Sequence, residues 1–207
     1  MTRAGVFSRI FLSAAACAAL CGCFSSKAPA VRRTWAIDGS LPGFPARTAK
    51  ARQICKSVKT GSVTVAAPFD AQDFTVRRKS GEWTRDPYNA FVSSPASLAR
   101  ASFETALAAD GRFGKVCNRY SLAQCEAVAE LHMTDLSLDA TDEKPTVRVA
   151  LSVTVLKCQG GRTGETIAEG KGSAAVEAGK DGYTAAWTEA FAQAVAAALA
   201  ETGGKKK

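Results

Sequence analysis

A chain of 207 residues with 46% hydrophobic and 22% charged residues has enough apolar material for one packed core and too little length for a second domain of ordinary size. Its formal charge of +8 is not concentrated in a patch: Arg3 and Arg9 sit at the start, Lys205, Lys206 and Lys207 at the end, and the body between is only mildly basic. That distribution excludes the clustered basic face of a nucleic-acid binder.

Arg3 and Arg9 precede an apolar run, Ile10 to Leu20, which has the length of a signal-peptide core and is too short to span a bilayer. The run closes in Leu20-Cys21-Gly22-Cys23, which resembles the bacterial lipobox, Leu-x-Gly-Cys, whose last cysteine is acylated and becomes the first residue of the mature protein. Residues 1–22 are therefore expected to be a lipoprotein signal peptide and residues 23–33 a lipidated tether. A single myristoyl-length chain binds a membrane only marginally, at roughly 0.8 kcal/mol per buried CH₂, so two or three acyl chains such as palmitate on Cys23 make anchoring permanent. By resemblance to enterobacterial sorting, Phe24 in place of Asp points to the periplasmic face of the outer membrane.

Four cysteines lie beyond the anchor: Cys55, Cys117, Cys125 and Cys158. An even number in an exported chain suggests two disulfides, with three possible pairings. Asn118-Arg119-Tyr120-Ser121 reads as a loop that Cys117 and Cys125 would close, which leaves Cys55 with Cys158. Chain entropy gives the short loop roughly 2.5 kcal/mol and the long one roughly 4.7 kcal/mol. A zinc site is disfavoured, since there are no closely spaced cysteine pairs and only one histidine.

Thr34 to Asp38 reads as a brief strand, and Ser62 to Ala67 alternates cleanly before stopping at Pro68. Phe44 to Thr60 shows no pattern. Phe74 to Arg77 is expected as a short edge strand, and the following stretch as an irregular loop in which Trp83, Tyr88 and Phe91 either pack on their own domain or form a partner-binding surface. Ser94 caps a helix with Pro95 in its first turn and Leu98, Phe103, Ala106 and Leu107 on its apolar face, ending at Asp110-Gly111. Phe113 and Val116 are expected to cover the sheet end. From Val128 to Asp139 the apolar parity switches between Met133 and Leu136, which requires a bulge near Thr134-Asp135. Thr146 to Lys157 is a strand with Val147, Val149, Leu151, Val153 and Val155 on one face, and a glycine-rich hairpin leads to a return strand, Thr166 to Val176. Its Ala168, Gly170, Gly172 and Ala174 leave room for a helix to approach. Asp181 is placed to cap that helix, in which Tyr183, Trp187, Phe191, Val195 and Leu199 recur every four residues until Gly203-Gly204. Polar Glu189, Gln193 and Glu201 favour an amphipathic helix over a membrane span.

No catalytic, cofactor or metal signature stands out. His132 lies within a strand, where a hydrogen-bonded or edge-exposed histidine is the ordinary case, and Asp135, Asp139, Asp142 and Glu143 read as a solvated hairpin. The expectation is no enzyme and no cofactor.

The order of elements carries a resemblance. The lipobox, the Trp35-Ala36-Ile37-Asp38 strand, Val63-Thr64-Val65-Ala66-Ala67-Pro68, the segment ending Asp86-Pro87-Tyr88-Asn89-Ala90-Phe91, and a helix closing at Asp110-Gly111-Arg112-Phe113 before three strands and a helix together resemble the ABC-type transport auxiliary lipoprotein family. These are periplasmic lipoproteins of MCE-domain lipid transport systems. The resemblance covers roughly residues 34–201. It implies an α+β, two-layer domain over 34–202, an antiparallel sheet with two helices on one face, followed by a basic tail, 203–207. It also implies a non-enzymatic role, docking to an MCE-domain/ABC permease complex in contact with phospholipid and without nucleic acid. The alternative is an outer-membrane lipoprotein that scaffolds or activates peptidoglycan synthesis, although a tether of about ten residues argues for work close to the membrane.

Overall fold

The computed structural model describes residues 31–40, 52–159, 162–179 and 182–202, so the signal segment, Cys23, Asp181 and the basic tail lie outside the described residues. Strands β1 (Arg33–Trp35), β2 (Cys55–Val65), β3 (Asp73–Arg78) and β4 (Trp83–Phe91) precede helix α1 (Pro95–Asp110). Strands β5 (Phe113–Cys117), β6 (Ala127–Ala140), β7 (Thr146–Gln159) and β8 (Arg162–Glu177) then lead to helix α2 (Tyr183–Glu201).

The architecture is α+β, but the sheet is mixed and not purely antiparallel as expected. β3–β4, β6–β7 and β7–β8 pair antiparallel, whereas β1–β4, β2–β5, β2–β6 and β3–β6 pair parallel. Alternation in sequence reveals which side chains face the core; it carries no information on the direction of the neighbouring strand. The long strand β6 organises the whole. β7 runs along one side of it, while β2 and β3 lie end to end along the other, β2 opposite Ala127–Met133 and β3 opposite Ser137–Ala140. The bulge required by the parity switch falls between Met133 and Asp135, at the hand-over from β2 to β3. It keeps Leu131, Met133, Leu136 and Leu138 all buried.

Four local expectations change. β2 begins at Cys55, inside the stretch that showed no pattern, because a register shift between Thr60 and Val63 breaks its alternation. β3 is interior, flanked by β4 and β6. The aromatic stretch is strand β4, and its Asp86-Pro87 disguises it: a register break against β3 between Asp73 and Thr75 absorbs these strand-poor residues. The Phe113–Val116 segment is likewise a strand, β5, paired with β2.

Helix α1 starts and stops as its sequence directs. The Ser94 hydroxyl accepts from the Ser97 N–H at 3.3 Å, and Gly111 takes the left-handed conformation, φ 72°. Trp187, Phe191, Val195 and Leu199 of α2 are fully buried against the sheet. The small face of β8 is what allows this approach, since a Cβ on Gly172 would collide with the Ala194 carbonyl and one on Gly170 with that of Ala198. Beyond β1 the chain runs on beside both helices. Asp38 N–H donates to Thr188 Oγ1 (2.8 Å), Ser102 Oγ donates to the Asp38 carbonyl (3.3 Å), and Ile37 is buried. At the far ends of the helices, the buried Arg112 guanidinium donates to the Asp110 carboxylate (2.5 Å) and to the Leu199 carbonyl, joining the C-termini of α1 and α2.

Candidate functional site at the β1–β4 corner

β1 is only three residues long, yet it is well held. Its register sets Arg33 beside Asn89 and Trp35 beside Phe91. Asp86 organises the bulged part of β4: its Oδ1 accepts from the backbone N–H of Tyr88 (2.8 Å) and Asn89 (3.3 Å), and its Oδ2 from Asn89 Nδ2 (2.9 Å). This is an Asx turn in the middle of a strand. Asn89 is thereby oriented so that its Oδ1 accepts from the Trp35 indole at 2.8 Å. Trp35 in turn meets the edge of Tyr183, with ring centroids 5.3 Å apart, and Gly182, the first-turn boundary of α2 at φ 103°, is the residue that leaves space for the Trp35 ring. Burial raises the Tyr183 phenol above its ordinary pKa, and the Asp86 carboxylate adds to the shift.

Trp35, Asn89 and Tyr183 line a half-open notch of about 290 Å³ with Arg33, Pro145 and Gly179. Its chemistry is that of recognition: an indole, a phenol, a committed amide and an exposed guanidinium. Outside the notch, Arg32 pairs with Asp73, and Arg85 holds β4 to β3 through Thr75 Oγ1 (2.8 Å) and the Pro68 carbonyl. Among the described residues no group of three His, Cys, Asp or Glu side chains stands close enough to hold a metal ion.

The three aromatic candidates separate. Tyr88, 53% exposed, sits next to the paired Asn89 and thus at the same corner. Trp83, 49% exposed, lies at the other end of β4 with one edge against Phe69, ring centroids 6.0 Å apart. Phe91 is 3% exposed and packs on Phe74 (4.7 Å) and Trp187 (5.1 Å), so it belongs to the core and is not a surface anchor. Pattern reading did not find Asn89 and Tyr183 as partners of Trp35, although Asp86-Pro87-Tyr88-Asn89 carried the Asx-turn signature.

All four cysteines are free thiols here. Cys117 and Cys125 are brought side by side, and Cys55 opens β2 beside Phe113 of β5. Burial, with Glu126 beside it, pushes the Cys55 thiol up to about 11. His132 is exposed and shares a 2.8 Å hydrogen bond with Thr64 Oγ1. The β5–β6 loop exposes two apolar side chains, Tyr120 and Leu122.

No family model matches the chain, and no curated protein sequence does either. Solved structures do resemble it. Protein XCC0632 from Xanthomonas campestris, assigned to family model DUF330, superposes with a TM-score of 0.55 at 16% identity over 83% of this chain and 87% of its own. An uncharacterized protein gives a TM-score of 0.55 at 11% identity over 80% and 92%. A PelC dodecamer from Paraburkholderia phytofirmans aligns at a TM-score of 0.40 and 10% identity over 77% and 95%, too loosely to bear on this chain. At these identities the likeness is one of fold: this is an α+β domain of the kind seen in the DUF330 structure.

Proposed function

We propose that the protein is a lipid-anchored periplasmic lipoprotein, attached through Cys23 on the periplasmic side of the outer membrane. There it acts as a non-enzymatic auxiliary component of an ABC/MCE-type lipid transport system. The observation that carries the reading is where the tether joins the domain. The run from Cys23 to Arg33, about ten residues, reaches at most ~35 Å when fully extended. Arg33 is paired with Asn89, next to the exposed Tyr88. The corner that carries the notch and Tyr88 is therefore the part of the domain held within that distance of the bilayer, where a partner complex embedded in or spanning the envelope is met. Tyr88 serves as the contact, since a half-exposed tyrosine offers contact area at small entropic cost. Trp83, at the far end of β4, extends the surface. Phe91 supports it from within.

The test is affinity recovery of the full chain from detergent extracts followed by mass spectrometry. MCE-domain and ABC permease components are expected with the wild type. Recovery of neither, while the chain still incorporates palmitate at Cys23, contradicts the auxiliary role. A Cys23→Ser chain is expected to be released from membranes with its fold intact; continued palmitate uptake by that variant contradicts the anchor.

A further inference from the structure

Two thiols meet where the chain passes from β5 to β6. Cys117 ends β5 and is buried. Lys59 is paired with Cys117 on one side of β2 and with Val128 on the other, so the chain leaving β5 must cross β2 to begin β6. That crossing returns Cys125 to Cys117. The Cys125 thiol, half-exposed, lies against Cys117 and the Ser57 hydroxyl, with the Lys59 ammonium nearby. The crossing is pinned by Glu126, whose N–H donates to Ser57 Oγ (3.1 Å) and whose Oε2 accepts from the Lys56 N–H (2.8 Å). Between the two cysteines, residues 118–124 are held by short local bonds such as Tyr120 N–H to Asn118 Oδ1 (3.0 Å) and Ala123 N–H to Ser121 Oγ (3.2 Å). Tyr120 is 80% exposed and Leu122 100% exposed.

We propose that Cys117 and Cys125 are a redox pair that closes to a disulfide once the chain is exported, clamping the 118–124 loop, with its exposed Tyr120 and Leu122, where the chain crosses β2. The compartment, though not the geometry, rests on the export reading above. The co-reactant is an oxidising protein disulfide. As the more accessible thiol, Cys125 loses its proton and attacks one sulfur of that disulfide, expelling the other as a thiolate. Cys117 then loses its proton and attacks Cys125 Sγ, forming the Cys117–Cys125 bond and releasing the oxidant as a dithiol. Two electrons and two protons leave the pair, so its mass falls by about 2 Da. Cys55 stays reduced: its thiol is buried and closed to an incoming protein disulfide, whereas Cys125 is half-exposed.

Trypsin provides a direct readout, because Arg119 lies between the two cysteines. The purified full chain, reduced and then exposed to oxidised glutathione, is expected to give a Val116–Arg119 peptide joined to the peptide that contains Cys125. A Cys55–Cys125 or Cys55–Cys158 link as the main product, or four free thiols, overturns the pairing. The same map of protein isolated from cells under alkylation separates the two ideas. A chain that links Cys117 to Cys125 with glutathione but emerges from cells fully reduced upholds the pair and contradicts export into an oxidising compartment. Because wild-type protein is used, misfolding of a variant cannot mimic either result.

Discussion

The β8–α2 seam and the β1–β4 corner hold their elements in opposite ways. In the seam, Gly170 and Gly172 remove side chains so that the helix backbone lies directly on the strand, and shape sets the fit, with one directed bond, Lys171 N–H to Glu201 Oε2 (2.7 Å), at its end. At the corner, β1 contributes three residues and little buried area, and its position is set by directed bonds: Trp35 to Asn89, Asn89 to Asp86, Arg32 to Asp73. A packed seam fails when volume is added. A polar corner fails one bond at a time, which suits the partner surface proposed for it.

The largest effect is expected from Gly172→Val. The side chain has no space beneath the Ala194 carbonyl, which is backbone and cannot step aside, so the cost is expected to exceed the roughly 1–3 kcal/mol of ordinary overpacking, read as a fall in the urea midpoint. Comparable damage is expected from Arg112→Met, which leaves Asp110 charged and buried without its partner, at a cost of about 3–5 kcal/mol; adding Asp110→Leu to it should recover most of the loss. At the corner, Asn89→Ala removes the acceptor for the Trp35 indole and one donor to Asp86. A loss of about 1–2 kcal/mol is expected, with quenching or a shift of Trp35 fluorescence as the local signal. If Asn89→Ala proved as damaging as Gly172→Val, the distinction between the two regions would fall.

The smallest effect concerns pH. Burial raises the Asp135 pKa at the β6 bulge, and one of its carboxylate oxygens has no partner. An acid whose folded pKa lies above its unfolded one binds its proton more tightly in the native state, so its contribution to stability is present at low pH and is lost as the pH rises through the folded value. Asp135→Asn should abolish that part of the pH dependence. Denaturant titrations of both proteins between about pH 3 and pH 7, where carboxylates titrate, check it.

What was legible in the sequence was local. The Ser94 cap and Gly111 stop, the parity switch in β6 and the small face of β8 each depend on neighbours within a few residues or on one strand's alternation. What was hidden depended on distant partners. The parallel placement of β2 and β3 along β6 leaves no mark on either strand, and Asp86-Pro87 made β4 look like a loop because the bulge that tolerates them is defined only by β3. The notch joins Trp35, Asn89 and Tyr183 from β1, β4 and α2, so no single stretch announces it.

Site-specific photo-crosslinking in cells tests the docking corner most directly. A benzophenone side chain replaces Tyr88 in one protein and Ala197, exposed on α2, in another. Adducts to an MCE-domain or permease component from position 88 and none from position 197 are the expected result. Absence of such adducts at position 88 in a chain that remains membrane-anchored, or equal adducts at both positions, contradicts a partner surface at the β1–β4 corner.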